Sequence, residues 1–415
     1  MENTHENNIT SSTRMDLSSS RASCSGAVSQ RFDKKGTIGT NVIRGLSWLD
    51  RLLALWIILA IALGILLGYF VPGMGDAFNH LQLNGISIPI AIGLLWMMYP
   101  ILCKVQFELL PQILISRSIW KQLAISITLN WIIAPAIMTA LAWATLPDLP
   151  GYRNGVILVG LARCIAMVLI WNQIAGGDSE YCAILVAINS LLQIALYSPF
   201  AYFYLNVVPS WFGATPDKLV GFISVWDVAR SVLIFLGIPL AAAVITRFVL
   251  LSIAGRRWYN TCFLPYFGPT ALLGLLFTIV IMFGMQGRQV IENIVPVVRV
   301  AVPLLAYFII IFFLTLSFLR MCLGAEYEVA VTQTFTAASN NFELAIAVAV
   351  ATFGIDSEEA LASVVGPLIE VPVLIGLVYL VLWLSKRWGW RKEIQADEDK
   401  YKPREEKGEV DPELG

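Results

Sequence analysis

The sequence predicts an all-α polytopic membrane protein of ten transmembrane helices, built as a five-plus-five inverted repeat. Three observations carry that reading: where the charge lies, ten apolar runs, and a short motif that recurs 178 residues later. Hydrophobic residues make up 57% of the 415 and charged ones 14%, at a mean hydropathy of +0.72. Even that charge is concentrated at the ends. Met1–Arg51 and Lys386–Gly415 hold 15 of the 28 Lys and Arg and 14 of the 29 Asp and Glu. The 334 residues between them carry only 13 basic and 15 acidic side chains. A soluble domain has roughly a quarter of its residues charged, so this core is not soluble. Apolar runs of about 20 residues in such a chain are bilayer-spanning helices, which satisfy their own backbone in lipid.

The runs are 52–70, 86–102, 123–146, 155–175 and 181–208, then 228–253, 268–285, 294–319, 329–354 and 360–385. Residues 1–47, rich in Ser, Thr and Asn, read as a disordered cytoplasmic tail, and 386–415 as a charged cytoplasmic tail. Between them lie a first five-helix repeat (48–208), an extracellular linker (209–227) and a second repeat (228–385). Lys and Arg in short loops set the orientation. With the N-terminus inside, inner loops hold Lys104, Arg117, Lys121, Arg247, Arg256, Arg257 and Arg320. Outer loops hold Arg153, Lys218 and Arg288. Both termini are cytoplasmic on this count.

An odd number of spans per half inverts the halves relative to one another, a common plan for secondary transporters. Gly176-Gly-Asp-Ser-Glu180 ends the fourth run and Gly354-Ile-Asp-Ser-Glu358 ends the ninth, at equivalent places. Ionisable groups at bilayer depth cost about 2.5–3.5 kcal/mol each and need a reason. Arg163, Glu343, Glu370 and, less deeply, Arg299 lie inside runs. The 178-residue offset puts Arg163 on Asn341 and Cys164 beside Glu343, so the most polar points of the halves coincide. Ser339-Asn-Asn341 is a poor helix interior and suits broken, crossing fourth and ninth helices.

Plainer readings stand beside these. Arg163 and Glu343 form a structural ion pair, or line a site. Glu370, between Pro367 and Pro372, bonds backbone freed at a kink, or faces a cavity. Cys164 is a packing residue, or a thiol activated by the adjacent guanidinium. Asn130, Asn189 and Gln193 are interhelical glue or cavity lining. Trp143 and Trp171 read as interfacial anchors, and the remaining acids as solvated loop or helix-end residues.

Several function classes fall away. A net charge of −1 gives no basic field, so no nucleic-acid partner is expected. Two histidines, His5 and His80, exclude a His-based metal site, and the six cysteines are scattered. No G-x-S-x-G, H-E-x-x-H or P-loop is present, no cofactor is implied, and seven-span receptors do not fit ten runs. Transport remains.

Leu161-Ala-Arg-Cys-Ile-Ala-Met-Val168, Trp171-Asn-Gln173, Ala187-Ile-Asn-Ser190, Ser339-Asn-Asn-Phe-Glu-Leu-Ala345 and Gly366-Pro-Leu-Ile-Glu-Val-Pro-Val373 resemble the signatures of arsenical-resistance arsenite permeases. These belong to the bile acid/sodium symporter superfamily. The resemblance spans roughly Trp48 to Lys386, and the long Ser-rich leader suggests a fungal member. It implies a plasma-membrane protein that exports arsenite in exchange for protons, with antimonite left open. It also implies that Cys164 is the family's functional cysteine and arsenic contact, and Glu343 its functional glutamate. Arg163, Asn130, Trp143, Trp171, Asn189, Asn340, Asn341 and Glu370 match positions that the family uses around its pathway. The alternative is a sodium-coupled symporter of organic anions, for which Glu343, Glu370, Asn340, Asn341 and Gln193 offer oxygen ligands.

Overall fold

The computed structural model describes residues 52–71, 82–83, 86–107, 117–165, 167–212, 224–292, 294–388 and 390. The expected N-terminal tail, the centre of the 209–227 linker and most of the expected C-terminal tail lie outside the described residues. Helix falls on every one of the ten apolar runs. In chain order the helices are α1 (Leu53–Phe70), α2 (Ile88–Cys103), α3 (Trp120–Thr145) and α4 (Pro150–Leu161). Next come α5 (Met167–Ala175), α6 (Ser179–Trp211), α7 (Val225–Ile253) and α8 (Gly255–Met285). The last are α9 (Ile294–Cys322), α10 (Tyr327–Ala338), α11 (Phe342–Phe353) and α12 (Glu358–Arg387). Six of them, α3, α6, α7, α8, α9 and α12, are long and apolar enough to cross a membrane in one piece. The fourth and ninth runs break, into α4 with α5 and α10 with α11. A two-residue antiparallel pair, Gln82–Leu83 with Ile86–Ser87, precedes α2.

Which face of each helix is buried identifies the solvent. On α9, Val295, Val298, Val302, Leu305 and Ile309 follow the three-four spacing of one helical stripe, and all are exposed. The opposite stripe, Val300, Leu304, Tyr307, Phe308 and Ile311, is buried. An apolar stripe left outside a packed helix would be costly in water and is at home in lipid. The chain is a multi-pass membrane protein.

Lipid is as apolar as leucine, so close packing rather than water exclusion must join the helices. α1 packs against α8 through small residues. A Cβ on Gly64 would stand 2.7 Å from the Phe283 Cβ and 2.8 Å from the Val280 carbonyl oxygen. Gly68, one turn on, faces the Gly284 backbone just as closely. Four long helices also carry a wider π-helical turn ending two residues before a proline. These turns are Thr128–Ile133 before Pro135, Phe203–Val207 before Pro209, Leu233–Gly237 before Pro239 and Tyr259–Phe263 before Pro265. Proline cannot donate, and its ring presses on the carbonyl four residues back; widening the turn relieves both without ending the helix.

The two repeated motifs do the same local work. Gly176 and Gly354 take φ of 76° and 93°, which glycine alone adopts cheaply, and end α5 and α11. The next helix is then capped, α6 by Asp178 and α12 by Ser357. Those caps are one place out of register under the 178-residue offset, so the motifs match in role rather than atom for atom.

Three arginines depart from the expected loop placement. Arg247 lies within α7 and is buried, with Nη1 donating to the Cys103 carbonyl at 3.1 Å. Tyr259 donates to the same oxygen at 2.8 Å, so the C-terminus of α2 is capped from two other helices. Arg153, expected in an outer loop, is buried in the first turn of α4 with its guanidinium 3.7 Å from the Trp143 ring centre. Arg320 belongs to the last turn of α9 and covers Trp390 at 4.5 Å. Trp390 is itself buried and meets the Tyr327 ring edge-on at 5.4 Å.

The α1–α8 contact leaves no room for a side chain. Gly68→Leu is expected to lower stability by about 1–3 kcal/mol, the usual cost of overpacking. Thermal unfolding in detergent checks this, and an unchanged midpoint would contradict the packing described.

Candidate functional site

The two breaks meet. After Leu161 and after Ala338 the chain turns extended, with ψ of 121° at Ala162 and 141° at Ser339. The extended pieces run antiparallel, Arg163 opposite Asn340. Cys164 N–H donates to the Ser339 carbonyl at 3.4 Å, and Asn341 N–H donates to the Ala162 carbonyl at 3.1 Å. Unwound backbone inside a membrane protein must find partners within the protein, and here each break supplies the other's.

Four helix ends therefore converge on one spot. α4 and α10 bring their C-termini, with free carbonyls and partial negative charge; α5 and α11 bring their N-termini, with free N–H groups and partial positive charge. Arg163 answers the first pair. It is fully buried, donates through Nη2 to the Gly160 carbonyl and through Nη1 to the Tyr307 hydroxyl at 3.1 Å. Tyr307 passes the contact on, donating to the Ala337 carbonyl at 3.0 Å. Its guanidinium thus serves the last turns of both α4 and α10. It forms no ion pair with Glu343, which removes that reading.

Cys164 and Asn341 answer the second pair. The Cys164 Sγ accepts from the Val168 N–H at 3.3 Å, so the thiol caps α5. The Asn341 Oδ1 accepts from the Leu344 N–H at 3.1 Å and caps α11. Glu343 sits in the first turn of α11. From Ala330 to Val350 every residue is buried except Glu343, which keeps partial exposure. Glu370, on α12, accepts from the Asn340 N–H at 3.3 Å through Oε1. It therefore bonds the neighbouring break rather than backbone freed in its own helix, which is continuous through Pro367 and Pro372. Glu343, Glu370 and Arg163 lie close enough for Glu370 to feel both other charges.

The crossing also leaves polar atoms over. Arg163 Nε, Gln193 Nε2, Ser339 Oγ, and both Nδ2 and Oδ1 of Asn340 are buried without a hydrogen-bond partner. Each such atom costs about 1–3 kcal/mol, so several together mark a place built to hold something polar.

Other sequence candidates lie further off. Asn189 accepts from the Trp131 indole N–H at 3.1 Å, an interhelical tie. Asn130 donates to Ser126 of its own helix at 2.8 Å, so it ties no helix to another by that bond. Trp171 is buried in α5 and is not a surface anchor. Trp143 stacks on Arg153, about 15 Å along α4 from Arg163. Among residues that sequence reasoning underrated, Gln193 is central: its Oε1 accepts from the Arg163 N–H at 3.1 Å and from Asn341 Nδ2 at 3.5 Å. Its mid-run polarity was the available signal. Tyr307 had none, because a tyrosine in an apolar run reads as core. Glu359, expected to be solvated at a helix end, is buried.

Comparison with known proteins gives the class first. Residues 91–293 match the model of the Sodium Bile acid symporter family. The chain is 49% identical over 342 residues to the arsenical-resistance protein Acr3 of Corynebacterium glutamicum, covering 82% of this chain and 91% of that protein. It is 30% identical to the Acr3 of Alkaliphilus metalliredigens, over 81% of this chain and 92% of that one. An uncharacterised transporter of Synechocystis is 35% identical over 80% of this chain and 88% of its own length. The chain belongs to the arsenical-resistance (Acr3) family of the sodium/bile acid symporter group.

Tyr307→Phe strands the Arg163 Nη1 and the Ala337 carbonyl in the core. A loss of about 1–3 kcal/mol in thermal stability is expected, and none would mean the link is idle. At the periphery, Arg299 grips both Asp148 oxygens at 2.7 Å, and this pairing holds the carboxyl down at about 2 from 3.8. A depressed carboxylate contributes stability above its unfolded pKa and loses it as pH falls through the folded one. Asp148→Asn should therefore melt earlier than wild type at pH 5 and above. The gap should close between 3.8 and about 2. It should also be small, since the pair is exposed.

Proposed function

We propose that this protein exports arsenite, As(OH)3, from the cytoplasm across the plasma membrane in exchange for protons. In this reading it is a transporter and not an enzyme, with both termini cytoplasmic and two five-helix halves inverted about the crossing. The observation that carries it is the pairing of a thiol and a carboxyl at the two helix N-termini of the crossing. Cys164 caps α5, and Glu343, in the first turn of α11, is the one partly exposed residue of the otherwise buried stretch from Ala330 to Val350. Identity of 49% to a protein named for arsenical resistance supports the choice of cargo.

The chemistry fits. As(OH)3 is a neutral triol at pH 7, so membrane potential alone does no work on it. A proton entering through a force on the order of 150–200 mV releases about 3.5–4.5 kcal/mol. That sustains a concentration ratio of about a thousand. Glu343 as carboxylate accepts hydrogen bonds from the arsenic hydroxyls when the site faces the cytoplasm. Protonated from outside, it no longer accepts them and the solute leaves. Cys164 offers one soft sulfur to a thiophilic atom, enough for reversible contact and too little to trap it. Asn340, Asn341 and Gln193 supply further donors and acceptors, and Arg163 and Glu370 hold the breaks in register. Asn130, Asn189, Trp143 and Trp171 take supporting places along the pathway, and antimonite, with the same trivalent chemistry, is a further cargo.

A second reading, sodium-coupled symport of an organic anion, is favoured by the family model over residues 91–293. Glu343, Glu370, Asn340, Asn341 and Gln193 would then gather the oxygens a sodium ion needs.

Everted vesicles decide between them. Arsenite accumulation driven by an acidic interior, lost with a protonophore, is the expected result. Glu343→Gln is expected to abolish accumulation while the protein still inserts, and Cys164→Ser to reduce arsenite uptake. Full accumulation by Glu343→Gln would sink the proton-exchange assignment. Sodium-dependent movement of an organic anion with no arsenite uptake would favour the second reading.

A further inference from the structure

Glu359 is a buried carboxyl that the exchange just described does not use. It stands in the first turn of α12, is 4% exposed, and its Oε1 has no hydrogen-bond partner. The Asn154 side chain of α4 bonds the carboxyl. Gly155 allows α4 to seal it over: a Cβ there would stand 2.5 Å from the Glu359 carbonyl oxygen and 2.8 Å from the Ala362 Cβ.

A lone carboxyl so placed is expensive, and its position on α12 suggests why it is there. Glu359, Ser363, Gly366 and Glu370 follow at i, i+4, i+7 and i+11, one face of a helix, and all are buried. Glu359 and Glu370 are about 16 Å apart along that face. Ser363 lies between them, its hydroxyl donating to the Glu359 carbonyl at 2.8 Å. Gly366 lies against the Phe342 ring, next to Glu343. Three polar side chains thus share the buried face of α12 between its outer end, in the orientation proposed above, and the crossing, with Gly366 and the Phe342 ring between Ser363 and Glu370.

The charged surroundings are few. Glu358 adjoins Glu359 and acts on it through its charge; Asp356 lies in the preceding turn, and both are exposed. On α4, Tyr152 is buried and feels Glu358, and Arg153 turns away to Trp143 and the Pro147 carbonyl. On α9, Arg299 is taken by Asp148. The one charged residue of α11 is Glu343, at the crossing. No described cation pairs with Glu359 to hold it as a permanent anion.

We propose that Glu359 is the outer proton acceptor of the transport cycle, handing protons down the Glu359–Ser363–Glu370 face of α12 to the crossing. An external hydronium gives its proton to the Glu359 carboxylate. The resulting acid releases it through Ser363 and intervening water to the Glu370 carboxylate, beside Glu343, and Glu359 returns to its anionic form. One proton moves inward per pass and no other bond changes. The inference rests on the proton-exchange reading and its orientation.

The test uses the full chain in proteoliposomes, with two assays on each variant. Arsenite counterflow at equal pH reports cargo binding and the turning of the site. Accumulation driven by a pH gradient, repeated over a range of donor-side pH, reports proton delivery. Glu359→Gln is expected to keep counterflow within twofold of wild type and to lose driven accumulation at least tenfold, with the donor-side pH profile flattened. Glu359→Asp should restore most of it. Ser363→Ala, which keeps the carboxyl, should slow driven uptake several-fold, and it serves where the Gln variant fails to fold. Unchanged driven uptake and pH profile in Glu359→Gln or Ser363→Ala would overturn the role of Glu359 alone. Joint loss of counterflow and driven uptake, unrescued by Asp, would overturn it in favour of a packing role. Wild type that shows counterflow but no driven uptake would overturn proton exchange itself, and this relay with it.

Discussion

Everything near the centre of this protein depends on two backbone hydrogen bonds between broken helices. Cys164 reaches the Ser339 carbonyl, and Asn341 reaches that of Ala162. A continuous helix hides its polar backbone, which is why most of the chain is helix. A break exposes that backbone, and in a membrane interior the exposure is tolerable only where the protein supplies partners, here the other break with Gln193 and Glu370. Two breaks that satisfy one another are stable where either alone would not be. Their meeting also fixes where Arg163, Cys164, Asn340, Asn341 and Glu343 stand, since all five lie within two residues of a bridged backbone atom or its neighbour.

The crossing sorts charge as well as backbone. Helix C-termini from α4 and α10 arrive with free carbonyls, and the guanidinium of Arg163 serves them directly and through Tyr307. Helix N-termini of α5 and α11 arrive with free N–H groups, and there the chain places a thiol, an amide and a carboxyl. This explains a buried arginine without an ion pair: its partners are the negative ends of two helices. It explains too why carboxyls are tolerated a few residues away. The polar atoms left over at Arg163, Gln193, Ser339 and Asn340 are buried there without a hydrogen-bond partner.

Away from the crossing the same economy governs packing. Small residues bring α1 against α8 and α4 against α12, because in lipid contact depth replaces the hydrophobic drive. Widened turns before prolines keep the long helices whole, so the two true breaks are set apart from many minor irregularities. At the end of α10 remote from the crossing, Tyr327 ties it to the last turn of α5 through the Ala175 carbonyl at 2.7 Å, and Trp390 packs on the same tyrosine. The start of the segment after α12 is thus in contact with the broken helices.

Much of this was legible in the residues themselves. Ten apolar runs, with about half the charge gathered in the two tails, dictate helices in lipid, since a helix satisfies its backbone within one such run. Polar interruptions at 162–164 and 339–341 mark the breaks, since Arg, Ser and Asn are poor tenants of an apolar helix. What the linear order could not contain was partnership. Whether Arg163 faces a carboxylate or a helix end depends on which segment lies opposite; Glu343 is nearer the break in sequence, yet Tyr307, with no polar neighbour to betray it, receives the guanidinium. Glu359 reads as a solvated helix end, and only the close approach of α4 at Gly155 buries it. Composition and periodicity determine what each segment is, because those follow from the cost of placing each side chain in lipid. Only tertiary structure decides which orphaned groups meet, because hydrogen bonds and charges act over a few ångströms between residues far apart in the chain.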